Sequence, residues 1–430
     1  MHLFLSALQW VAFMVAGSIA APIAIADLFQ LTPAETADFI QRTIFVLGAS
    51  SLIQALIGHR LPINEGPAGL WWGVFAIYAG FAGTLYSSHI EVLTVLQGGM
   101  IVSGVIFFIL AATGLLKKLT SLFTPAITFI YLMLLILQLS GSFVKGMFGI
   151  NSEHGTLQPF VLAGSILTIL AALYFSGHKT KWIQQYSIIL ALIAGWIIFV
   201  LMGLGGHVTV SSSWFALPEI LAFGAPSFDT GVVITSIFIT FLLTTNMIAS
   251  IRVTEEVMKS QGHPTYERYT KSGFASGINQ ILGGIFSAIG PVPISGAAGF
   301  VSATRMYSIL PFIAGSVIII VISLVPKVMN LFASLPAPVG YAVTTVIFIK
   351  MVGLALGEYH KEKDLERTHF VAGISLIVGV GAMFVPPAAF KDVPVVVASI
   401  LNNGLILGTI TGILVEQTIR SKTEKSMKSR

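Results

Sequence analysis

One carboxylate, Glu65, stands in a long apolar stretch among prolines and glycines: Leu61-Pro62-Ile63-Asn64-Glu65-Gly66-Pro67-Ala68-Gly69. An acid held away from water can bind and release a proton or pair with a cation, and acids at membrane depth are costly and usually functional. Its pairing partners in the sequence are Arg60 and Arg305, so titration and a structural ion pair both stand as readings. A partial echo of the segment recurs as Val292-Pro293-Ile294-Ser295-Gly296-Ala297-Ala298-Gly299. Asn246 and Ser250 are four apart and share one face of a helix. The amide of Asn246 offers both donor and acceptor, as does that of Gln9. Such neutral groups can hold the edge of a polar solute, or they can tie helices together. Trp10, Trp71 and Trp72 read either as packing or as stacking platforms.

Other chemistries are absent from the pattern. The chain has no Cys, which removes thiolate catalysis, disulfides and Cys metal sites. Its nine His are scattered through loops and span ends without metal-ligand spacing. No phosphate-binding glycine loop is present, so nucleotide-driven transport is excluded. No nucleophile–base pair or metal cluster falls at depth. The expectation is a protein that is not an enzyme, with no metal and no organic cofactor.

What must position Glu65 and its companions is a pair of interrupted helices. Proline removes a backbone donor and clashes with the preceding turn, and glycine relaxes the chain. In hydrocarbon, such backbone survives only where protein or a water-filled cavity surrounds it. Five or six extended residues after Arg60 carry the chain roughly 16–20 Å inward, so Glu65 and Gly66 reach the midplane. A half-helix then starts near Pro67, and a second starts near Gly296 and returns to the surface at Arg305. Both aim unpaired N–H groups at one central region, which suits a planar polar solute or a small anion. The amides near Ser295 and Gly296 are therefore candidate ligands whatever their side chains.

The composition fits this frame. The chain is 55% hydrophobic and 10% charged, where soluble domains carry about 25% charge. Apolar runs that support spans of a hydrocarbon core roughly 30 Å thick, counting the two interrupted ones, fall near 5–25, 38–57, 66–85, 93–115, 124–142, 157–176, 185–205, 229–258, 269–288, 296–306, 307–328, 337–356, 369–388 and 394–416. The first reads as a retained span and not a signal peptide. Alternating these fourteen spans puts all of the 23 Lys and Arg except Arg42, Lys145, Lys327 and Lys391 on one side. That bias predicts cytoplasmic termini. The net charge of +5 follows from those loops and is not read as a nucleic-acid signal. Phe123-Thr124-Pro125-Ala126 in the fifth span parallels Leu335-Pro336-Ala337-Pro338 in the twelfth. The chain thus reads as an all-α polytopic membrane protein of two inverted seven-span repeats, residues 1–212 and 213–430, with short extended segments in spans 3 and 10. The mixed charges from Glu358 to Arg367 read as a solvated loop.

With these residues in place, the chain resembles the nucleobase–cation symporter family, the nucleobase–ascorbate transporters that include uracil and xanthine permeases. The resemblance rests on Leu8-Gln9, on Pro62 to Gly66, on Pro125-Ala126, and on Gly299-Phe300-Val301-Ser302-Ala303-Thr304-Arg305-Met306-Tyr307-Ser308. It implies a core domain from spans 1–4 and 8–11 and a gate from spans 5–7 and 12–14. It also implies cation-coupled uptake of a purine or pyrimidine base across the cell membrane, with H+ or Na+ as the coupling ion and a second copy of the chain as a candidate partner. The family's third-span aromatic falls at Gly69, its eighth-span Glu and His at Asn246 and Ser250, and its tenth-span acid or amide and Asn at Gly296 and Ala297. In the first span its Gln-His pair is Gln9-Trp10. The residue chemistry and the resemblance together give Gln9, Glu65, Gly69, Asn246, Ser250, Ser295 and Gly296 as candidate substrate contacts, with Glu65 the candidate titrating group. Rival readings are an anion carrier of the same architecture and an uncoupled facilitator or channel.

Overall fold

The computed structural model describes all residues except 1, 120–123, 151–154, 181–182, 185, 206–212, 391–392, 394–396, 398–400, 402 and 429–430. Phe123, Lys391, the repeat boundary at 212 and much of the predicted span 394–416 before Gly404 lie outside the described residues.

The first half runs α1 His2–Ser18, α2 Ala20–Leu28, α3 Pro33–Leu56, β1 Glu65–Pro67, α4 Gly69–Ala79, α5 His89–Ala112, α6 Leu116–Leu119, α7 Pro125–Met147, α8 Pro159–Ser176 and α9 Ser187–Leu201. The second runs α10 Thr230–Ser260, α11 Tyr269–Ile285, β2 Pro291–Pro293, α12 Gly296–Thr304, α13 Ile309–Ser323, α14 Pro326–Ala333, α15 Ala337–Tyr359, α16 Leu365–Met383 and α17 Gly404–Lys428.

Local chemistry sets many of these boundaries. The break at Ser18 lies one turn before Pro22, which cannot donate to the Ser18 carbonyl and crowds it. Helix α3 opens on a capping box: Thr32 accepts from the Glu35 N–H, and Glu35 accepts from the Thr32 N–H at 2.8 Å. Ser88, Thr124 and Asp229 cap α5, α7 and α10 by the simpler one-way bond, each side-chain oxygen accepting the N–H three residues on. Among the described residues, eight helical stretches are long and apolar enough to cross a membrane, Leu3–Leu28 counting as one. Within the predicted span 307–328 the helix is broken: α13 ends at Ser323, and α14 leaves at 85° where Pro326 opens a new helix.

The helices pack in two groups. Helix α5 lies against α10 and α11, and α13 lies against α1 and α3. Helices α7, α8 and α9 pack with α15, and α16 and α17 close on α7. The groups meet where α2 contacts α15 and α4 contacts α7. At the α2–α15 seam, Tyr341 donates to the Ala24 carbonyl and to Asp27 Oδ2, each at 3.0 Å.

Most of the 358–367 segment is exposed, as its mixed charges predict, but two of its charged residues turn inward. Glu362 and Arg367 are largely buried, pair at 2.9 Å, and Glu362 also accepts from the Ala126 N–H at the start of α7. Glu416, fully buried on α17, accepts from Thr124 at 2.8 Å and pairs with Arg420 at 3.1 Å.

Candidate functional site

The two interrupted segments meet. β1 and β2 pair antiparallel, with Glu65 opposite Pro293, Gly66 opposite Val292 and Pro67 opposite Pro291. The extended stretch is three residues long, and α4 begins at Gly69, two residues later than the sequence suggests. Because each strand runs straight into its half-helix, α4 and α12 leave the bridge from opposite ends. Their N-termini point back towards it.

The prolines are placed where the ladder does not need their missing donors. Ala68 N–H bonds to Gly290 O and Ile294 N–H to Asn64 O, each at 3.0 Å, two residues either side of the Gly66–Val292 pair. An antiparallel ladder alternates bonded and non-bonded pairs. The non-bonded ones here are Glu65–Pro293 and Pro67–Pro291, so three of their four residues are prolines with no outward N–H to satisfy. The remaining outward N–H, that of Glu65, donates to Ser51 Oγ at 2.9 Å. Gly66 is required for close approach: a Cβ there would lie 2.6 Å from the Ile294 side chain.

The predicted residues fall as follows. Glu65 is 1% exposed, and neither carboxyl oxygen has a hydrogen-bond partner among the described residues. It pairs with neither arginine: Arg60 is exposed and donates to the Leu56 carbonyl, and Arg305 is exposed at the end of α12. Ser250, fully buried on α10, donates to the Pro293 carbonyl at 2.9 Å and lies 3.4 Å from Asn246 Oδ1. Asn246 is half-buried one turn away. Ser295 and Gly296 are exposed, and among the described residues their amides have no acceptor. The Ala297 and Ala298 amides instead turn back to Ile294 and Ser295 at 3.1 Å. Gln9 is exposed on α1, one turn before Phe13.

Two aromatic neighbours escape sequence reasoning. A Cβ on Gly296 would sit 4.0 Å from Phe13, whose ring lies 4.4 Å from that of Phe300. A Cβ on Gly69 would sit 4.0 Å from Phe348 of α15, beside Trp72 and Phe143. Where the resembled family has an aromatic on the third span, this chain brings a phenyl ring from the other helix group. Only the emptiness of Gly69 hinted at it. Trp10 is packing: it is fully buried against Phe300 and Phe312.

The arrangement can hold a solute between two sets of helix-end amides, with hydroxyl and amide side chains at one flank and aromatic rings at both ends. Among the described residues no cluster of His, Cys, Asp and Glu could hold a metal ion.

Residues 1–388 match the profile of the Permease family that groups xanthine and uracil permeases. Over 421 residues, 97% of this chain and 96% of the relative, the sequence is 45% identical to YwdJ of Bacillus subtilis (strain 168), provisionally named a purine permease. It is 25% identical over 435 residues to the uric acid permease PucJ of the same organism, covering 98% of this chain and 94% of PucJ. The transmembrane domain of a cyanobacterial bicarbonate transporter, BicA, shares the fold, with a TM-score of 0.60 over 95% of this chain and 97% of its own at 12% identity. A profile that spans so much of the chain establishes the family: this protein is a multi-pass membrane transporter of the Permease family, and not an enzyme.

Proposed function

We propose that the protein carries a nucleobase, of the purine class named for its relatives, and couples that movement to an inward proton gradient. The observation that carries this reading is the β1–β2 bridge, which sets the N-termini of α4 and α12 towards one another with the Ser295 and Gly296 amides accessible. A planar lactam-containing base presents carbonyl oxygens to such amides and ring N–H groups to the Asn246 side chain. Gln9 and the Gly69 edge complete the set, and Ser250 acts through the Pro293 carbonyl.

Coupling rests on Glu65. A charge buried without a partner is expensive, so proton binding there is tied to whether water reaches the bridge. Sodium is the alternative ion. The wider reading is fourteen spans in two inverted repeats, residues 1–212 and 213–430. Spans 1–4 and 8–11 would form a core that moves against a gate of spans 5–7 and 12–14. Both termini lie in the cytoplasm, the host bilayer is the cell membrane, and a homodimer is an allowed assembly. The two packing groups support that division. A small anion is the second reading, favoured by the shared fold with BicA and by the lack of an acid at Asn246 and Gly296.

Uptake of radiolabelled xanthine and uracil into vesicles decides between them. Uptake that unlabelled bases inhibit and that a proton ionophore abolishes supports the proposal. Base inhibition without ionophore sensitivity means a facilitator, and uptake indifferent to bases means the anion reading.

A further inference from the structure

Trp71 and Gln280 are buried polar groups that the proposed site leaves unused. Gln280, on α11, is 1% exposed, and its amide bridges two pieces of chain. Its Nε2 donates to the Pro291 carbonyl at 2.6 Å, and its Oε1 accepts from the Trp71 indole N–H at 2.7 Å. Neither partner can exchange roles, because a carbonyl only accepts and an indole N–H only donates. The amide orientation is therefore fixed by its partners.

Pro291 belongs to β2, which launches α12, and Trp71 is in the first turn of α4. One side chain thus joins the strand of one half to the half-helix of the other. The contact is tight: a Cβ on Gly290 would lie 2.3 Å from the Trp71 ring and 2.7 Å from Gln280 Oε1. Glycine is the residue that admits it. Trp71 is fully buried with its N–H engaged, so it belongs to the frame and not to a stacking surface.

The geometry points to Gln280 as a positioning residue that fixes the spacing of the two helix N-termini without touching the solute. A group here must donate to Pro291 and accept from Trp71 at once. Glutamine does so, and so does glutamate when protonated. Leucine does neither, and lysine or arginine supplies donors only. Removing the bridge leaves a buried carbonyl and a buried N–H unpaired, which the chain relieves by letting β2 and α4 shift apart.

The functional consequence rests on the nucleobase reading, so the test has one arm that does not. Because the chain has no Cys, a Ser295→Cys thiol is a unique reporter of where α12 begins. Its maleimide labelling rate in membranes is measured in the parent and with Gln280→Leu, Gln280→Glu and Trp71→Phe. Xanthine KM and Vmax per folded molecule are measured alongside, with Ser295 intact. Gln280→Leu changes the labelling rate and raises KM, each by about tenfold, with Vmax largely kept. Trp71→Phe, which removes one of the two bonds, gives about threefold. Gln280→Glu approaches the parent in both readouts as the pH is lowered and departs from it as the pH is raised.

Unchanged labelling in a monodisperse Gln280→Leu protein overturns the inference, as does a loss of Vmax with KM intact. If that variant does not fold, the Glu and Phe variants carry the same comparison, and a pH-independent Glu variant overturns it. If labelling responds but the parent takes up no base, the positioning role stands and the nucleobase reading fails.

Discussion

Two seams in this protein join distant stretches of chain through buried polar groups, and they use opposite chemistry. At the outer seam, α7, α16 and α17 are tied through two acids held by cations: Glu362 pairs with Arg367 and accepts from the Ala126 N–H, and Glu416 pairs with Arg420, lies 3.8 Å from Arg367 and accepts from Thr124. At the inner seam, the β1–β2 bridge, the ties are neutral: Ser51, Ser250 and Gln280 each satisfy one outward backbone group. The one charge-bearing side chain of the bridge, Glu65, has no partner at all among the described residues. Full pairing suits a seam that only has to hold. An unpaired acid beside a neutral frame suits a place where occupancy or protonation changes during the cycle.

If that contrast is right, the largest effect on stability comes from the outer seam. Arg367→Ala leaves Glu362 without its cation and strips one positive charge from the surroundings of Glu416. Removing one partner of a buried pair costs about 3–5 kcal/mol. Thermal unfolding in detergent, followed by size-exclusion fluorescence, should show a marked loss. A loss below about 1 kcal/mol would mean that the network is no stronger than a surface pair.

Glu65→Gln should behave in the opposite sense. No ion pair is lost, because Glu65 has none among the described residues, and an uncharged isostere removes the cost of a buried charge. The unfolding temperature stays level or rises, while uptake loses its ionophore sensitivity. A drop comparable with that of Arg367→Ala would reveal a hidden partner for Glu65 and erase the distinction between the seams.

The sequence exposes the inner seam better than the outer one. Proline and glycine at 62, 66, 67, 291, 293 and 296 announce broken helices, because their backbone requirements are intrinsic to the residue. The spacing of Asn246 and Ser250 places both on one helix face before any tertiary contact is known. What it does not expose is the register that sets Glu65 against Pro293, since strands of three residues carry no periodicity of their own. Gln280 is hidden for a related reason: it follows Ser272, Ser276 and Asn279 on a helix where any polar residue reads as helix-to-helix glue. Phe13 and Phe348 have no contrast against apolar surroundings. The 358–367 segment reads as solvated because mixed charge usually is, and most of it is exposed; what the pattern hides is that Glu362 and Arg367 turn in towards Ala126 and Glu416, far away in the chain.

The smallest effect refines the inner seam. Ser250→Ala removes the donor to the Pro293 carbonyl and leaves that oxygen without a side-chain partner, a cost of roughly 1–2 kcal/mol. Thr245, on the same helix, donates at 3.2 Å to the Phe241 carbonyl one turn back. That carbonyl is already served by the α-helical ladder, so Thr245→Ala should stay within about 0.5 kcal/mol of the parent. The two variants separate a bond that fixes the bridge from one that only decorates a helix. Transport sharpens the test further: the Ser250 change raises the KM for xanthine severalfold with little change in Vmax, and the Thr245 change moves neither. Equal behaviour of the two would reduce the Ser250 hydroxyl to ordinary helix packing and leave the bridge held by Gln280 and Ser51 alone.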